Sequence, residues 1–251
     1  MYERTLTALP VYNEANHVPD VLNQVLQHAD DVLVVNDGST DGTSAALAAF
    51  EDRVHVETHS VNRGYGAALK TAFDYAVRYG YDVLVTIDCD GQHQPQLISE
   101  IAQLVGDPAN PVDMVSGSRY LQPTAQVGVA PEDRRRINMQ ITRCLNEQLG
   151  FNITDAFCGF KAYRVSSLAD LDITDHGYAM PLQLWVQAAD LNWKISEFPT
   201  PLVYLDEDRS FGGSLDDAAV RLAHYRSVLN AELSRRGMHQ RFTADCGKSG
   251  A

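Results

Sequence analysis

Two carboxylates two residues apart, Asp88 and Asp90, followed by the amide of Gln92, form the most chemically pointed segment of the chain. They leave an apolar run, DVLVTI at Asp82–Ile87, that reads as a buried strand. Acidic groups placed this way aim at nearly one point and repel each other unless a cation lies between them. Hard oxygen donors with an amide oxygen suit Mg²⁺ or Mn²⁺, and a diphosphate would complete the shell. The competing reading is structural, with the pair capping the turn and helix that follow. His93, beside the motif, reads as a support for the ligands.

Four other strand ends carry polar, glycine-rich or charged groups: Pro10–Glu14, Asn36–Ser39, Asn62–Gly64 and Gly117–Tyr120. Ligands of open parallel sheets bind beyond the carboxyl ends of the strands, so these ends mark a binding edge. The elements that must position them alternate. Strands are expected at Arg4–Leu9, Asp31–Asn36, Val54–Thr58, Asp82–Ile87 and Asp113–Ser116. Helices are expected at Ala15–His28, Thr43–Phe50, Tyr65–Arg78 and Pro95–Val105, the last opened by its proline. Near-continuous apolar strands alternating with helices predict an α/β protein with a mostly parallel sheet covered on both faces.

The rhythm changes after residue 118. Arg119–Asp133 reads as a mobile loop and Arg134–Leu149 as a helix. Strands are expected at Gly159–Arg164 and Lys194–Pro199 around a helix at Pro181–Asp190. A last helix is expected at Asp216–Arg236 and a flexible tail over 239–251.

Other chemistries are excluded or weakened. The 251 residues carry 20 lysines and arginines against 33 acidic residues, a formal charge of −13 that argues against nucleic acid as a partner. Gly64–Leu69 is a partial dinucleotide fingerprint, but it follows the third strand and lacks the third glycine, and no P-loop occurs. A diphosphate must then be gripped by a metal and arginines. No run approaches the length of a membrane span, and MYERTLTALPVYNEAN does not read as a secretory signal. Cys89, Cys144, Cys158 and Cys246 are scattered, so neither a disulfide framework nor a zinc site is expected, and a reducing cytoplasm is the expected compartment.

The strings PVYNE, VVNDGSTDGT, NRGYGAALKTA, TIDCDGQHQP and GSRY, in this order, resemble the family 2 glycosyltransferases with a GT-A fold. Within them the chain is most similar to dolichyl- or polyprenyl-phosphate mannosyl- and glucosyltransferases. DAFCGFKAY, GYAMPLQL and DEDRSFGGS extend the likeness to about residues 4–215. The resemblance implies a GT-A domain over 1–215, with a Rossmann-like nucleotide-sugar half at 1–118 and an acceptor half at 119–215, then a C-terminal helix over 216–238. It places Pro10, Tyr12, Glu14 and Asp37 around the nucleoside and Arg63 beside the base. Asp88, Asp90 and Gln92 would hold the divalent metal, and Arg119 and Arg209 would contact phosphate.

The implied reaction is an inverting transfer of a hexose from a nucleotide diphosphate sugar. Metal and arginines would stabilise the charge gathering on the leaving diphosphate. A polyprenyl or dolichyl phosphate acceptor is already an anionic nucleophile and needs no general base. An alcohol acceptor needs one, and Asp155 is the best-placed group, its alternative being a turn carboxylate. Three readings therefore stand: lipid phosphate acceptor, soluble alcohol acceptor, and a non-catalytic nucleotide-sugar-binding protein. The chain departs from its relatives at Asn36 and Leu215, where they commonly carry aspartate and lysine, and at Gln183, where they usually carry glutamate.

Arg134, Arg135 and Arg136 open a helix whose apolar residues Ile137, Ile141, Leu145 and Leu149 fall four apart. This stripe either meets anionic lipid, making the protein peripheral at the cytoplasmic membrane face, or packs on the core. Trp185 and Trp193 read as core.

Overall fold

The computed structural model describes residues 4–107, 109–122, 126–128, 131–203, 213–238 and 246. In chain order the strands are β1 (Thr5–Val11), β2 (Asp31–Asn36), β3 (His55–Thr58), β4 (Val83–Thr86), β5 (Met114–Ser118), β6 (Gln126–Val127), β7 (Lys161–Arg164), β8 (Ile195–Pro199) and β9 (Leu202–Val203). The helices are α1 (Val18–Val25), α2 (Thr43–Ala48), α3 (Tyr65–Arg78), α4 (Ile98–Gly106), α5 (Glu132–Leu149), α6 (Val165–Leu168), α7 (Met180–Asp190) and α8 (Ala218–Arg235). Each expected element has a counterpart within a few residues. The helix expected from Pro95 begins as a 3-10 turn, Pro95–Leu97, before α4. The pairing of β6 with β9 and the short α6 were not expected.

Seven strands form one sheet in the order β3-β2-β1-β4-β7-β5-β8. All run the same way except β7, which is antiparallel to both β4 and β5. Alternate residues of the inner strands feed two cores. Leu33 and Val35 of β2 join one with α3, α5, α7 and α8, while Val32 and Val34 join the other with α1, α2 and α4. This is the α/β arrangement with helices on both faces that the alternation predicts.

Local chemistry fixes the ends of the elements that carry the site. Gly64 precedes α3 at φ 101°, a backbone region that favours glycine. A Cβ at Gly66 would lie 2.6 Å from both Asp175 O and Met180 Cβ, so glycine there lets α3 close on the 175–180 segment. Asp217 caps α8, accepting from Ala219 N at 2.8 Å and Val220 N at 2.9 Å. Glu132 and Asp133 occupy the first turn of α5, where the helix dipole favours acids, and Gly150 ends it in the left-handed conformation.

Of the two readings of the α5 stripe, core packing holds: Ile137, Ile141 and Leu145 are buried in the core and Leu149 packs against it, so the stripe is not a free lipid-facing surface. The expectation about the cysteines is corrected. Cys144 on α5 is paired in a disulfide with Cys246, inside the expected flexible tail, while Cys89 and Cys158 are free and buried. A separation of 102 residues leaves no local pattern from which that bridge could be read. The other residues of 239–251 lie outside the described ones.

Candidate active site

A cavity of about 520 Å³ opens at the carboxyl edge of the sheet, a volume in the range of small-molecule sites. Its sheet-edge wall holds Pro10, Tyr12, Glu14, Asp37, Asp88, Asp90 and Gln92. The structure therefore brings together the expected metal and nucleoside residues except Arg63, whose side chain is exposed and does not line the cavity.

Asp37 is more a keystone than a free acceptor. Its buried carboxylate pairs with His59 Nδ1 at 2.6 Å and accepts from Arg63 N at 2.9 Å and Gly64 N at 2.7 Å. It thus holds the turn that launches α3, and Arg63 contributes its backbone to that turn. Glu14 pairs with His17 Nδ1 at 2.6 Å. Its N–H donates to Thr43 Oγ1 at 2.9 Å, which ties the turn after β1 to α2.

The carboxylate pair is buttressed from three sides. Asp88 Oδ1 accepts from Tyr65 OH at 3.0 Å, and Oδ2 lies 3.2 Å from His93 Nε2. Asp90 Oδ1 accepts from Gln92 N at 3.0 Å. An added Cβ on Gly159 would sit 2.2 Å from Asp88 Oδ2, so glycine at this position makes room for the carboxylate. Tyr65 stacks on Tyr178 at 5.8 Å, and burial pushes its phenol well above the usual range, so it stays a donor. Among the described residues no three His, Cys, Asp or Glu side chains form a closed metal cage. Two carboxylates with an adjoining amide on an open cavity do fit a cation such as Mg²⁺, which takes one or two carboxylates and completes its shell with substrate phosphate and water.

Arg119, just past the carboxyl end of β5, also lines the cavity and is clamped from behind. Its Nε reaches Asp155 Oδ2 at 2.7 Å and its Nη2 reaches Oδ1 at 3.0 Å. Asp155 also accepts from Asn138 Nδ2 at 2.7 Å, Phe157 N at 3.1 Å and Arg119 N at 3.2 Å. Burial pushes this carboxyl up, but the guanidinium, the Asn138 amide and the backbone donor outweigh it and hold it far below the ordinary carboxylate range. Asp155 is fully buried and absent from the cavity wall, so the expectation that it could act as a general base is corrected. It orients Arg119. Arg209 lies outside the described residues.

Sequence reasoning noticed Arg134 and Arg135 but gave them no part in this cavity, and it passed over Arg221, Lys161 and most of the aromatic wall. The first turn of α5 carries Arg134 and Arg135 into the wall, and α8 adds the buried Arg221. Arg221 pairs with Asp133 and donates to Leu215 O at 2.7 Å. Between these cations the wall is apolar and aromatic, built from Ile137, Phe157, Tyr178, Met180, Pro181, Leu184 and Tyr225. Lys161, buried in the sheet, also reaches the cavity. Its signal was the alternation of Phe160 and Ala162 with Lys161 and Tyr163, which puts a lysine and a tyrosine on one strand face. Gln183 lies deeper, donating to Glu232 Oε2 at 2.7 Å.

Comparison with known proteins gives the family and the fold. The model of the family described as Glycosyl transferase family 2 matches residues 7–172. The chain is 33% identical over 232 residues to an undecaprenyl-phosphate mannosyltransferase of Micrococcus luteus, covering 88% of this chain and 93% of that one. It is 32% identical over 234 residues to a polyprenol monophosphomannose synthase of Mycolicibacterium smegmatis, covering 89% and 87%. Among solved structures, glucosyl-3-phosphoglycerate synthase of Mycobacterium tuberculosis with UDP matches at TM-score 0.66 and 22% identity, over 94% of this chain and 81% of that one. The same enzyme with Mg²⁺ and UDP matches at TM-score 0.68 and 21% identity, over 94% and 80%. At this identity the likeness shows the fold, which is GT-A. Matched by the family model over most of its length, and by relatives along nearly all of it, the chain belongs to the family 2 glycosyltransferases and is an enzyme of sugar transfer.

Proposed function

We propose that the protein transfers a hexose, with inversion, from a nucleotide diphosphate sugar of the GDP-mannose or UDP-glucose type to a polyprenyl or dolichyl phosphate presented at a membrane face. The observation that carries this reading is the composition of one cavity. A carboxylate pair stands at its sheet edge, and arginines 119, 134, 135 and 221 line the same cavity together with apolar and aromatic side chains. Such walls suit an amphiphile with an anionic head better than a polar metabolite. The printed activities of the Micrococcus and Mycolicibacterium relatives support the same substrate class.

Asp88, Asp90 and the Gln92 amide would hold Mg²⁺ or Mn²⁺. When bound, the cation offsets negative charge on the diphosphate as the glycosyl bond breaks. Arg119, immobilised by Asp155, offers fixed donors to the same developing charge or to the acceptor phosphate, with no reorganisation needed at the moment of reaction. Pro10, Tyr12 and Glu14 would flank the nucleoside. An acceptor phosphate attacks as an anion, so the reading requires no general base, in keeping with an Asp155 that is locked away.

The test is transfer of label. Protein, Mn²⁺, labelled GDP-mannose or UDP-glucose, and undecaprenyl phosphate in detergent should move label into the organic phase. Label that stays in water on a new acceptor overturns the lipid reading.

A further inference from the structure

The register of the central strands sets Lys161 of β7 opposite Thr86 of β4 and Ser116 of β5, and Ser116 opposite Glu197 of β8. A polar row thus crosses a sheet face that is otherwise apolar, formed one step along by Leu84, Tyr163 and Met114. Lys161 is 3% exposed and lines the cavity. Its Nζ donates to Ser116 Oγ at 2.7 Å and stands 5.3 Å from the Trp185 ring centroid.

Burying an ammonium is costly unless its charge is compensated. The carboxylates around it are engaged elsewhere. Asp155 serves Arg119 and Asn138, while Glu197 accepts from Thr154 N at 2.8 Å and Asp155 N at 3.2 Å. Among the described residues no carboxylate lies within 4.0 Å of the Lys161 ammonium. One hydroxyl uses one of its three N–H donors and leaves two for whatever fills the cavity. A leucine or methionine would fill this strand position without that cost. The location matters as well: Gly159, two residues before it, abuts Asp88, and Asp155 and Arg119 are near enough to act on its charge.

We propose that Lys161, which shares the cavity wall with Arg119, binds the phosphate monoester of the acceptor, so that the incoming oxygen is held by cations in the cavity that carries the donor's carboxylate pair. This rests on the acceptor reading given above and adds the residue that seats its head group. A lipid phosphate and a small phosphorylated alcohol share the chemistry.

Calorimetry with two probes, farnesyl phosphate in detergent and 3-phosphoglycerate, tests the proposal on the intact protein, with nucleoside diphosphate plus Mn²⁺ as the control ligand. Lys161→Met should weaken binding of the phosphate monoester at least tenfold, the scale of one charge-assisted hydrogen bond, and leave nucleotide affinity within about twofold. Ser116→Ala removes the internal partner of Nζ and should leave phosphate affinity unchanged or raise it. Equal phosphate affinity in Lys161→Met overturns the proposal. A tenfold loss in Ser116→Ala also overturns it, because the pair would then serve the fold, and this arm decides should Lys161→Met fail to fold. Wild-type binding of 3-phosphoglycerate alone removes the lipid reading and leaves Lys161 as a phosphate contact. Binding of neither probe removes both.

Discussion

Arg119 and Asp155 meet in a forked pair, two nitrogens on two oxygens, with the carboxylate fully buried and the guanidinium on the cavity wall. A long flexible cation is thereby held in one orientation by a group that substrate does not reach.

Asp155→Asn should lower stability by about 3 kcal/mol, since removing one partner leaves a partly buried guanidinium unpaired. The sign of the pH effect follows from the depressed carboxyl. Its stabilisation is complete above the ordinary value of 3.8 and fades as pH falls through and below it. Wild type should therefore lose about 1 kcal/mol more than the variant between pH 7 and pH 3. Urea unfolding at both pH values measures the difference, and parallel acid slopes would contradict the assignment.

Asp90→Ala should abolish Mn²⁺-dependent nucleotide binding while thermal unfolding without nucleotide stays near wild type. Gly159→Ala should produce the same phenotype in milder form, about tenfold weaker, by pressing a methyl onto Asp88. Undiminished affinity in both variants would remove the carboxylate pair from the donor site.

Arg134→Gln and Arg135→Gln should each raise the acceptor KM by about fivefold and leave the donor KM unchanged, the scale of one partly exposed charge contact. Steady-state kinetics at low and high salt checks this, since the wild-type advantage should shrink as salt rises.

Gln183→Glu would set a second carboxylate against Glu232, which already gathers Gln183, Gln187, Arg235 and Arg236. A clear drop in Tm is expected, and adding Glu232→Gln should restore part of it. A double variant no better than the single would show that the two residues are not coupled.

Most of the architecture was legible because buried parallel strands and amphipathic helices leave different periods. The reversed direction of β7 was not legible, since Phe160-Lys161-Ala162-Tyr163 alternates identically in either orientation. The sheet-edge wall of the cavity was legible because its residues follow strand ends in sequence. The helical wall comes from α5, α7 and α8, where arginines and aromatics look like solvated or core positions until packing joins them. Arg134 and Arg135 show this: read from the sequence as either lipid-facing or solvated, they line the cavity once the stripe beneath them is buried.

The reversal of β7 has a practical consequence. A strand that enters where its neighbours exit delivers its beginning to the reaction and turns away at the far rim, where Arg164 lies opposite Val83. From 164 to 177 the backbone contributes nothing to the cavity wall, and Ala169 and Asp170 stand exposed on that remote side. A fluorophore or tether attached there could report on the working enzyme without touching its substrates.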